Sequence, residues 1–563
     1  MAADLILPPA FALLLGALLL AAVPGRLRAA VVLGAPLAAL ALVWRADGIG
    51  GTAAYLDLTL VLVRADPLSR WFGTVFAIAA FAAGLFALHQ KSKLELVASQ
   101  AYAGAALGVV FAGDLVSALV FWEIMAVAST AVIWSAGAAA RAAGLRYLLV
   151  HLLGGTVLMI GIAGHVAATG QAAFDVLGLD APFRWIILAG VLLNAGAPPL
   201  SAWLPDAYPR ASYSGMVVLS AFTTKTAVFV LLRVFPGEPL LIWIGLFMVF
   251  YGIVYAILEN DMRRILAYSI VNQVGFMVAG IGIGTELALN GAASHAFAHI
   301  LYKALLLMSA GSVLAMTGRS KCSELGGLFQ SMPVTTVCGI VGALSISAFP
   351  LTSGFVTKSM ISDAAATQGM ALVWTLLAAG SAGVFLHAGI KFPWFVFFQK
   401  DSGLRPPDPP LPMRAAMILL SVLCIAIGVA PGPFYAYLPF GASYVPYTGD
   451  HVVSQLQLLL FSGLAFFLLL GMLRRTETIT LDTDWLYRRL GPALADRLAP
   501  PIAAAWRRAE SSVAAAASRG LHLLENAYRS GPLSRPQASG TVALIAITAL
   551  TAYLILGYMA ASR

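Results

Sequence analysis

The residues best suited to chemistry in this chain are three titratable side chains on one apolar stretch, Ser294–Val313. The stretch is long enough to span a membrane and carries His295, His299 and Lys303. On a helix these positions, each four residues apart, lie on one face along a line of roughly 12 Å. A charged group in hydrocarbon costs at least about 2.5–3.5 kcal/mol, so such groups usually face a protein interior or a water-filled path. The pattern predicts a relay for protons; the alternative is a structural polar seam between helices.

Further ionisable residues lie within other apolar stretches, and these are Glu123, Lys225, Lys358 and Lys391. A glutamate and a lysine that pair and separate can act as a switch between two charge states. We therefore predict that these residues also belong to the proton relay. For Glu123 the alternative is a static buried ion pair, and Lys391, nearer a helix end, can instead extend to the membrane surface. The isolated histidines His151 and His387 are expected to be hydrogen-bonded core groups.

The composition places the chain among proteins that cross the bilayer many times. Of 563 residues, 60% are hydrophobic and only 10% are charged, which excludes an ordinary soluble enzyme. The first apolar run, Leu5–Val23, lacks the basic flank of a cleaved signal peptide and is expected to remain as a span. The cysteines Cys322, Cys338 and Cys424 fit neither a disulfide framework nor a metal-ligand spacing, and no cofactor or metal is expected.

Apolar runs of about 17–25 residues predict about 16 transmembrane helices. The runs cover residues 5–23, 28–45, 67–88, 95–112, 115–135, 146–168, 183–203, 212–232, 240–258, 264–284, 292–315, 334–362, 371–398, 414–433, 454–473 and 540–560. Most of the Lys and Arg residues between these runs fall on the side of the first loop, which contains Arg26 and Arg28. Because cytoplasmic loops carry the excess of basic residues, this side is predicted to be cytoplasmic and both termini periplasmic.

Two of the predicted spans contain helix-breaking residues. Pro198 and Pro199 interrupt the seventh span, and Pro350 with Gly354 interrupts the twelfth, because proline removes a backbone donor and clashes with the preceding turn. Paired broken helices in two halves of a transporter indicate inverted repeats with ion sites at the breaks. An ordinary proline kink is the alternative for either one alone.

Residues 474–537 are predicted to lie along the membrane surface rather than to span it. Apolar residues recur every three to four positions among ten arginines, as in a helix at the cytoplasmic interface. Pro492, Pro500 and Pro501 are expected to break or kink this helix. The segment is interpreted either as an anchor to acidic lipid or as a brace across the other helices or a neighbouring subunit.

Several ordered motifs resemble one known family. They are Trp203–Ala207 (WLPDA), Asp261–Phe276 (DMRRILAYSIVNQVGF), His295–Leu306 (HAFAHILYKALL), Glu324–Leu328 (ELGGL) and Phe349–Lys358 (FPLTSGFVTK). Together they resemble the antiporter-like proton-translocating subunits of respiratory complex I, membrane-bound hydrogenases and Mrp-type Na⁺/H⁺ antiporters. The chain looks most like the D-type protein of the Mrp antiporters. Its tail resembles instead the lateral helix of the largest antiporter-like subunit of complex I.

The resemblance implies an all-α polytopic membrane protein with two inverted five-helix repeats, each with a broken helix, and a lateral helix on the cytoplasmic side. The implied parts are N-terminal flanking helices, two repeats, C-terminal flanking helices, the interfacial segment and a terminal helix, at residues 1–93, 94–235, 236–400, 401–473, 474–537 and 538–563. By position, Glu123, Lys225, His299, Lys303 and Lys358 match the charged relay residues of the family. One position departs, because the family usually has a lysine where this chain has Asn194. Asparagine cannot carry a proton at neutral pH, so the first half is expected to conduct differently.

The implied function is proton translocation within a multisubunit cation/proton antiporter of the bacterial inner membrane, with Na⁺ as the expected counter-ion. The expected partners are other membrane subunits, protons, Na⁺ and the lipid bilayer, with no nucleic acid, and the chain is not expected to be an enzyme by itself. One alternative is a subunit of a redox-driven, complex I-like or hydrogenase assembly. Others are the membrane half of a bicarbonate-uptake complex and a scaffold subunit that has lost conduction through Asn194.

Overall fold

The structure is a computed structural model that describes residues 7–55, 57–441, 443–473, 481–530 and 539–561. Within these ranges twelve helices are long and apolar enough to cross a membrane, and four shorter apolar helices accompany them. Each of the sixteen predicted spans coincides with one of these helices or with consecutive helices. The predicted fold class, a largely helical membrane protein, is therefore confirmed.

The first ten helices are α1 (Pro9–Ala22), α2 (Gly25–Arg45), α3 (Pro67–Phe86), α4 (Lys93–Phe111), α5 (Leu115–Trp134), α6 (Arg141–Thr169), α7 (Pro182–Ala195), α8 (Trp203–Ala207), α9 (Gly215–Ala221) and α10 (Thr223–Val234). The next ten are α11 (Leu240–Leu258), α12 (Met262–Ile283), α13 (Glu286–Thr317), α14 (Pro333–Ile346), α15 (Ser353–Thr367), α16 (Ala371–Val384), α17 (Leu411–Val429), α18 (Pro431–Tyr435), α19 (Gly449–Leu468) and α20 (Leu470–Leu473). Two π-helical segments, Phe385–Lys391 and Trp394–Phe398, continue α16. Short 3₁₀ turns are Ala87–His89, Ala138–Ala140, Tyr208–Arg210, Cys322–Glu324 and Leu328–Gln330.

Local sequence signals fix many of the helix ends. Asp66, Asp114 and Asp261 precede α3, α5 and α12, and each carboxylate accepts backbone N–H groups of the first turn. Such N-caps satisfy donors that have no partner within the helix. At the other end, α12 and α13 are followed by Gly284 and Gly318 in the left-handed conformation that glycine adopts without steric cost.

The centre of the molecule is formed by α10, α12 and α13. Every residue of α10 is buried, and in α12 only Arg264 is not. A helix that is covered on all sides normally carries apolar residues all round. These helices instead contain Lys225, Gln273 and Lys303 among their buried residues, so the polar groups lie at the core of the protein and not on its lipid-facing surface.

Both predicted breaks divide their spans into separate helices. The helix α7 ends at Ala195, and Pro198 and Pro199 lie in the irregular segment before α8. The helix α14 ends at Ile346 and Pro350 lies in the turn before α15, whereas Gly354 is already inside α15. A third interruption, at Phe222 between α9 and α10, was not predicted.

A β-hairpin between α2 and α3 is the one departure, within the described residues, from the predicted all-helical fold. Strands β1 (Gly48–Tyr55) and β2 (Leu58–Ala65) pair in antiparallel register, with Gly48 opposite Ala65. Val61 N–H donates to the Asp114 carboxylate at 2.9 Å, and this bond attaches β2 to the start of α5. Strands of eight residues are too short to appear in a search for spans of about 20 residues.

The chain divides into two compact units, one extending to Asp484 and the other beginning at Trp485. The second unit contains a π-helical turn at Leu486–Leu490 and the helices α21 (Gly491–Ser530) and α22 (Ser539–Ala561). Pro500 and Pro501 lie inside α21, which is continuous through both, so neither proline ends this helix. Each proline removes one backbone donor, and the other hydrogen bonds of a 40-residue helix remain. The arginines of the predicted surface segment at 474, 475 and 535 lie outside the described residues.

The end of the first unit is attached to a group of tyrosines. The Asp482 carboxylate accepts hydrogen bonds from Tyr251 Oη at 2.6 Å and from Tyr268 Oη at 2.5 Å. Tyr255 Oη donates to the Leu481 carbonyl at 2.6 Å. These bonds hold the segment that leads towards the C-terminal unit against α11 and α12.

Candidate functional site

The row of titratable residues on α13 is fully buried. His295 Nδ1 lies 3.2 Å from Thr357 Oγ1 on α15, and its Nε2 lies 3.1 Å from Gln273 Oε1 on α12. The Tyr302 hydroxyl is within 3.0 Å of the same Gln273 oxygen and 3.3 Å of His295 Nε2. Because the tyrosine can donate to either atom, the surroundings of His295 suit both its neutral and its doubly protonated ring.

His299 occupies the next turn of α13, where its surroundings differ. Its ring centroid lies 6.4 Å from that of His295 and 5.3 Å from that of Tyr302. Neither ring nitrogen bonds to any residue that the structure describes, although the side chain is fully buried. Buried polar atoms normally have a protein or water partner, so His299 is suited to contact water within the protein.

Three of the buried lysines donate to carbonyls at the C-terminal ends of helices. Lys225 Nζ lies 2.7 Å from the Ser220 carbonyl at the end of α9, and Lys358 Nζ lies 3.0 Å from the Ile346 carbonyl at the end of α14. Lys391 Nζ donates to carbonyls at the end of α11, including that of Glu259 at 2.6 Å. Helix C-termini carry partial negative charge and unpaired carbonyls, and both features favour an ammonium group.

Lys303 is bound differently, by a hydroxyl group on the neighbouring helix. Its Nζ lies 2.8 Å from Ser269 Oγ and 3.4 Å from the Leu266 carbonyl, both on α12. Among the residues described, none of the four membrane-embedded lysines forms an ion pair. The four lysines are therefore held by neutral groups. Within the described part of the chain, none of them forms the static ion pair that was the alternative interpretation for Glu123.

Glu123 lies apart from this row, on α5, and is half-buried. A side chain at Gly155 of α6 would collide with the Glu123 carboxylate, because an added Cβ would lie 1.6 Å from its Oε1 atom. Asn194, at the end of α7, lies beside the adjacent Gly154, with Oδ1 3.4 Å from the Cβ position of that glycine. Glu123 of α5 and Asn194 of α7 therefore lie against adjacent glycines of α6. Glu123 is not paired with Lys225.

The sequence did not indicate which neutral side chains surround the titratable ones. Gln273, Tyr302, Thr357 and Ser269 are the hydrogen-bond partners of His295 and Lys303. All four lie within motifs that carried the family resemblance, which was the available signal: Ser269 and Gln273 in Asp261–Phe276, Tyr302 in His295–Leu306 and Thr357 in Phe349–Lys358. The contact between His295 and Thr357 joins residues 62 positions apart, and no local pattern predicts it.

The centre of the chain is similar to one family of known membrane proteins. Residues 112–386 match the family described as NADH:quinone oxidoreductase/Mrp antiporter, transmembrane. A probable K⁺/H⁺ antiporter protein of Rhizobium meliloti, of the combined A/B type, is 30% identical over 364 residues, which are 59% of this chain and 36% of that protein. The chain thus spans about a third of that relative's length. A D-type protein of the Na⁺/H⁺ antiporter of Alkalihalophilus pseudofirmus is 28% identical over 352 residues, covering 59% of this chain and 71% of that protein.

Among solved structures, one similar chain comes from the membrane-bound sulfane sulfur reductase, an archaeal respiratory membrane complex. It aligns with a TM-score of 0.69 and 24% identity over 97% of this chain and 99% of its own length. At this identity the likeness concerns the fold. The fold matched includes the C-terminal unit as well as the central helices.

Proposed function

We propose that this chain, whose central helices match the family of complex I and Mrp antiporter proteins, conducts protons within a multisubunit cation/proton antiporter. The proposed path runs from Lys225 to Lys358 through the row on α13, in which His299 lies between His295 and Lys303. Glu123 sets the charge at the start of this path. Lys391 is proposed as the last group on the path, although its contacts with the end of α11 equally suit a helix cap.

One observation carries this proposal: the lysines and histidines of the path are buried at the centre of the protein without an acidic partner among the described residues. Lys225, His295, His299 and Lys303 are all inaccessible to solvent. Where they form hydrogen bonds, their partners are hydroxyl, amide and carbonyl groups, which accept or release a hydrogen bond without a change of charge. Isolated ionisable groups within a membrane are costly, and they usually mark ion or proton pathways.

We further propose that proton movement drives Na⁺, or another monovalent cation, in the opposite direction through a partner subunit. The relatives support antiport as a class, since one is named for K⁺/H⁺ exchange and another, of the D type, for Na⁺/H⁺ exchange. The motifs of the sequence favour the D type. Val120 and Val127, two exposed residues of α5, flank Glu123. The half-buried carboxylate therefore lies on an outer apolar face that a partner membrane protein would cover.

The test is to replace lysines of the path in the complete complex. We expect Lys225→Ala and Lys358→Ala to abolish cation-dependent proton movement in everted membrane vesicles, because each removes a group that holds the proton. Lys91→Ala, at an exposed lysine outside the spans, is the matched control and should leave the rate unchanged. Normal transport by both path variants in an assembled complex would refute the relay.

A redox-driven pump is the second candidate, and the full-length fold match favours it. The similar chain from the archaeal respiratory complex covers 97% of this chain, including the C-terminal unit. In such an assembly, electron transfer would drive protons along the same residues. Purification of the complex decides between the two functions: co-purifying iron–sulfur subunits would establish the redox-driven pump, and their absence from an active antiporter would exclude it.

A further inference from the structure

Buried polar atoms without a protein partner among the described residues gather around the first helix break. Each of these side chains is at most 1% exposed and has a nitrogen or oxygen that bonds to no described residue. They are His151, Asn194 and Ser201. At the second break, His295 and Thr357 are hydrogen-bonded to each other, and the buried Ser353 hydroxyl has no partner among the described residues. Since buried polar groups are normally satisfied by protein or water, the first break is suited to hold ordered water.

His151 lies at the edge of this region, in contact with the residues that shape the break. Its ring stacks on Tyr147 with 3.9 Å between centroids and meets Trp203 edge-on at 4.5 Å. The Trp203 indole N–H donates to the Leu193 carbonyl at 3.1 Å, next to Asn194 at the end of α7. The packing of His151 on Trp203 therefore holds the imidazole in a fixed position relative to the break.

The hydrogen bonds of His151 determine which nitrogen can take up a proton. Nδ1 lies 2.9 Å from the Tyr147 carbonyl, and a carbonyl oxygen only accepts, so Nδ1 carries the hydrogen. Nε2 then presents a lone pair, and none of the residues described donates to it. His151 was expected from the sequence to be a satisfied core group, but only one of its two nitrogens bonds to a residue that the structure describes.

His151 also shares one face of α6 with the positions that contact Glu123 and Asn194. Gly154 and Gly155, which lie against Asn194 and Glu123, are three and four residues beyond His151. Residues at this spacing are neighbours on a helix surface. Of the unpartnered groups found at the break among the described residues, histidine alone has a ring nitrogen that can take up and release a proton, because amides and serine hydroxyls do not act as bases.

We propose that His151 is the proton-carrying residue of the first half of this chain, between Glu123 and Lys225. In each transfer, a protonated water molecule gives its excess proton to the Nε2 lone pair and becomes neutral water, and the resulting imidazolium keeps its Nδ1–H bond to the Tyr147 carbonyl. The Nε2–H bond then breaks and the proton passes to the next water, which restores the neutral ring. Asn194 contributes hydrogen bonds but carries no proton. This inference rests on the proposed function.

The test compares substitutions of His151 in the complete complex, by proton movement in everted vesicles. His151→Asn keeps a donor near the position of Nδ1 and removes Nε2, and we expect the rate to fall about a hundredfold or more, the usual range for loss of a proton-transfer group. Adding Asn194→Lys to this variant supplies a new base at the break and should restore most of the rate. His165→Asn, at a buried histidine farther along α6, is the matched control and should transport normally.

The rescue separates a proton carrier from a packing residue. Unchanged transport by His151→Asn overturns the proposal, and so does a loss that Asn194→Lys does not restore in an assembled complex. Failure of both His151→Asn and His151→Gln to assemble would also overturn it, because His151 would then be structural. Failure of the proposed function is recognised separately, by normal transport in Lys225→Ala and Lys358→Ala.

Discussion

The contacts of single side chains explain how lysines are retained in the middle of this protein. Lys225, Lys358 and Lys391 each donate to carbonyls at a helix end, where the helix dipole adds negative potential. Lys358 Nζ also lies 4.9 Å from the centre of the Phe276 ring, a cation–π contact. Dipoles and rings stabilise a cation without a permanent counter-charge, so the proton can leave without breaking an ion pair.

The Glu123 carboxylate gives a steric prediction at the same scale. In Gly155→Ala the new methyl group would lie 1.6 Å from Glu123 Oε1, so the carboxylate must move while the backbone remains in place. We expect an assembled complex with proton transport reduced about tenfold to a hundredfold, since displacements near 1 Å have effects of this size on proton transfer and catalysis.

The compensating variant makes this prediction specific to Glu123. Glu123→Asp withdraws the carboxylate by one methylene group, so Gly155→Ala/Glu123→Asp should transport faster than Gly155→Ala alone. Initial rates in everted vesicles measure all of these variants. Full activity of Gly155→Ala would show that the position of the Glu123 carboxylate does not matter for transport.

At the scale of elements, the interruptions of helices position the lysines. Lys225 follows the break at Phe222, and Lys358 lies in α15, within two turns of its start after the second break. In the second break, Ala348 and Leu351 have φ angles of 56° and 69°, in the left-handed region that residues other than glycine rarely adopt. Backbone of this kind is retained where the surrounding structure determines it, and it is often found at functional sites.

Gly354 allows the close approach of the two helices at the second break, which gives an element-scale prediction. A Cβ at this position would lie 1.8 Å from the Ser345 carbonyl oxygen of α14, and a backbone atom cannot move aside as a side chain can. Gly354→Ala should therefore destabilise the protein by about 1–3 kcal/mol, the usual cost of overpacking. Thermal unfolding of the purified complex measures the change.

Gly34→Ala is the matched control, because this helical glycine on α2 has open space at its Cβ position. It should leave the unfolding temperature unchanged or raise it, since alanine in a helix is more stable than glycine by roughly 0.5–1 kcal/mol. Equal unfolding temperatures for Gly354→Ala and the parent protein would mean that α14 and α15 can separate without cost.

The sequence predicted the elements whose signals are local. Apolar runs located the spans, and prolines at 198, 199 and 350 located two breaks. The hairpin β1–β2 was missed because bonds to distant residues hold it, such as Arg64 Nη1 to Asp175 Oδ1 at 2.6 Å. The break at Phe222 was missed because it contains neither proline nor glycine. The partners of His295 come from α12 and α15, and such contacts between helices are absent from any single apolar run.

At the scale of the whole molecule, we expect the outer face around Glu123 to be the face that another membrane protein covers. On α5 the exposed fractions of Val120 and Val127 are 55% and 58%, and on α6 those of Leu149 and Leu153 are 58% and 52%. A half-buried carboxylate facing lipid would cost a few kcal/mol, on the order of the charged-residue penalties in bilayers. A partner over this face would remove that cost by covering Glu123.

This surface can be tested by cross-linking, because all three cysteines of the chain are buried. We expect Val127→Cys and Leu149→Cys to introduce thiols that a short thiol-to-amine or photoactivatable reagent links to a second membrane protein in the intact complex. The parent chain, whose thiols are inaccessible, is the control and should give no product. Glu123→Gln should retain the cross-link, since apolar contact and not the charge covers the face. If neither introduced cysteine links to another component of the complex, the face is covered by lipid, and Glu123 then lies at the outer boundary of the assembly.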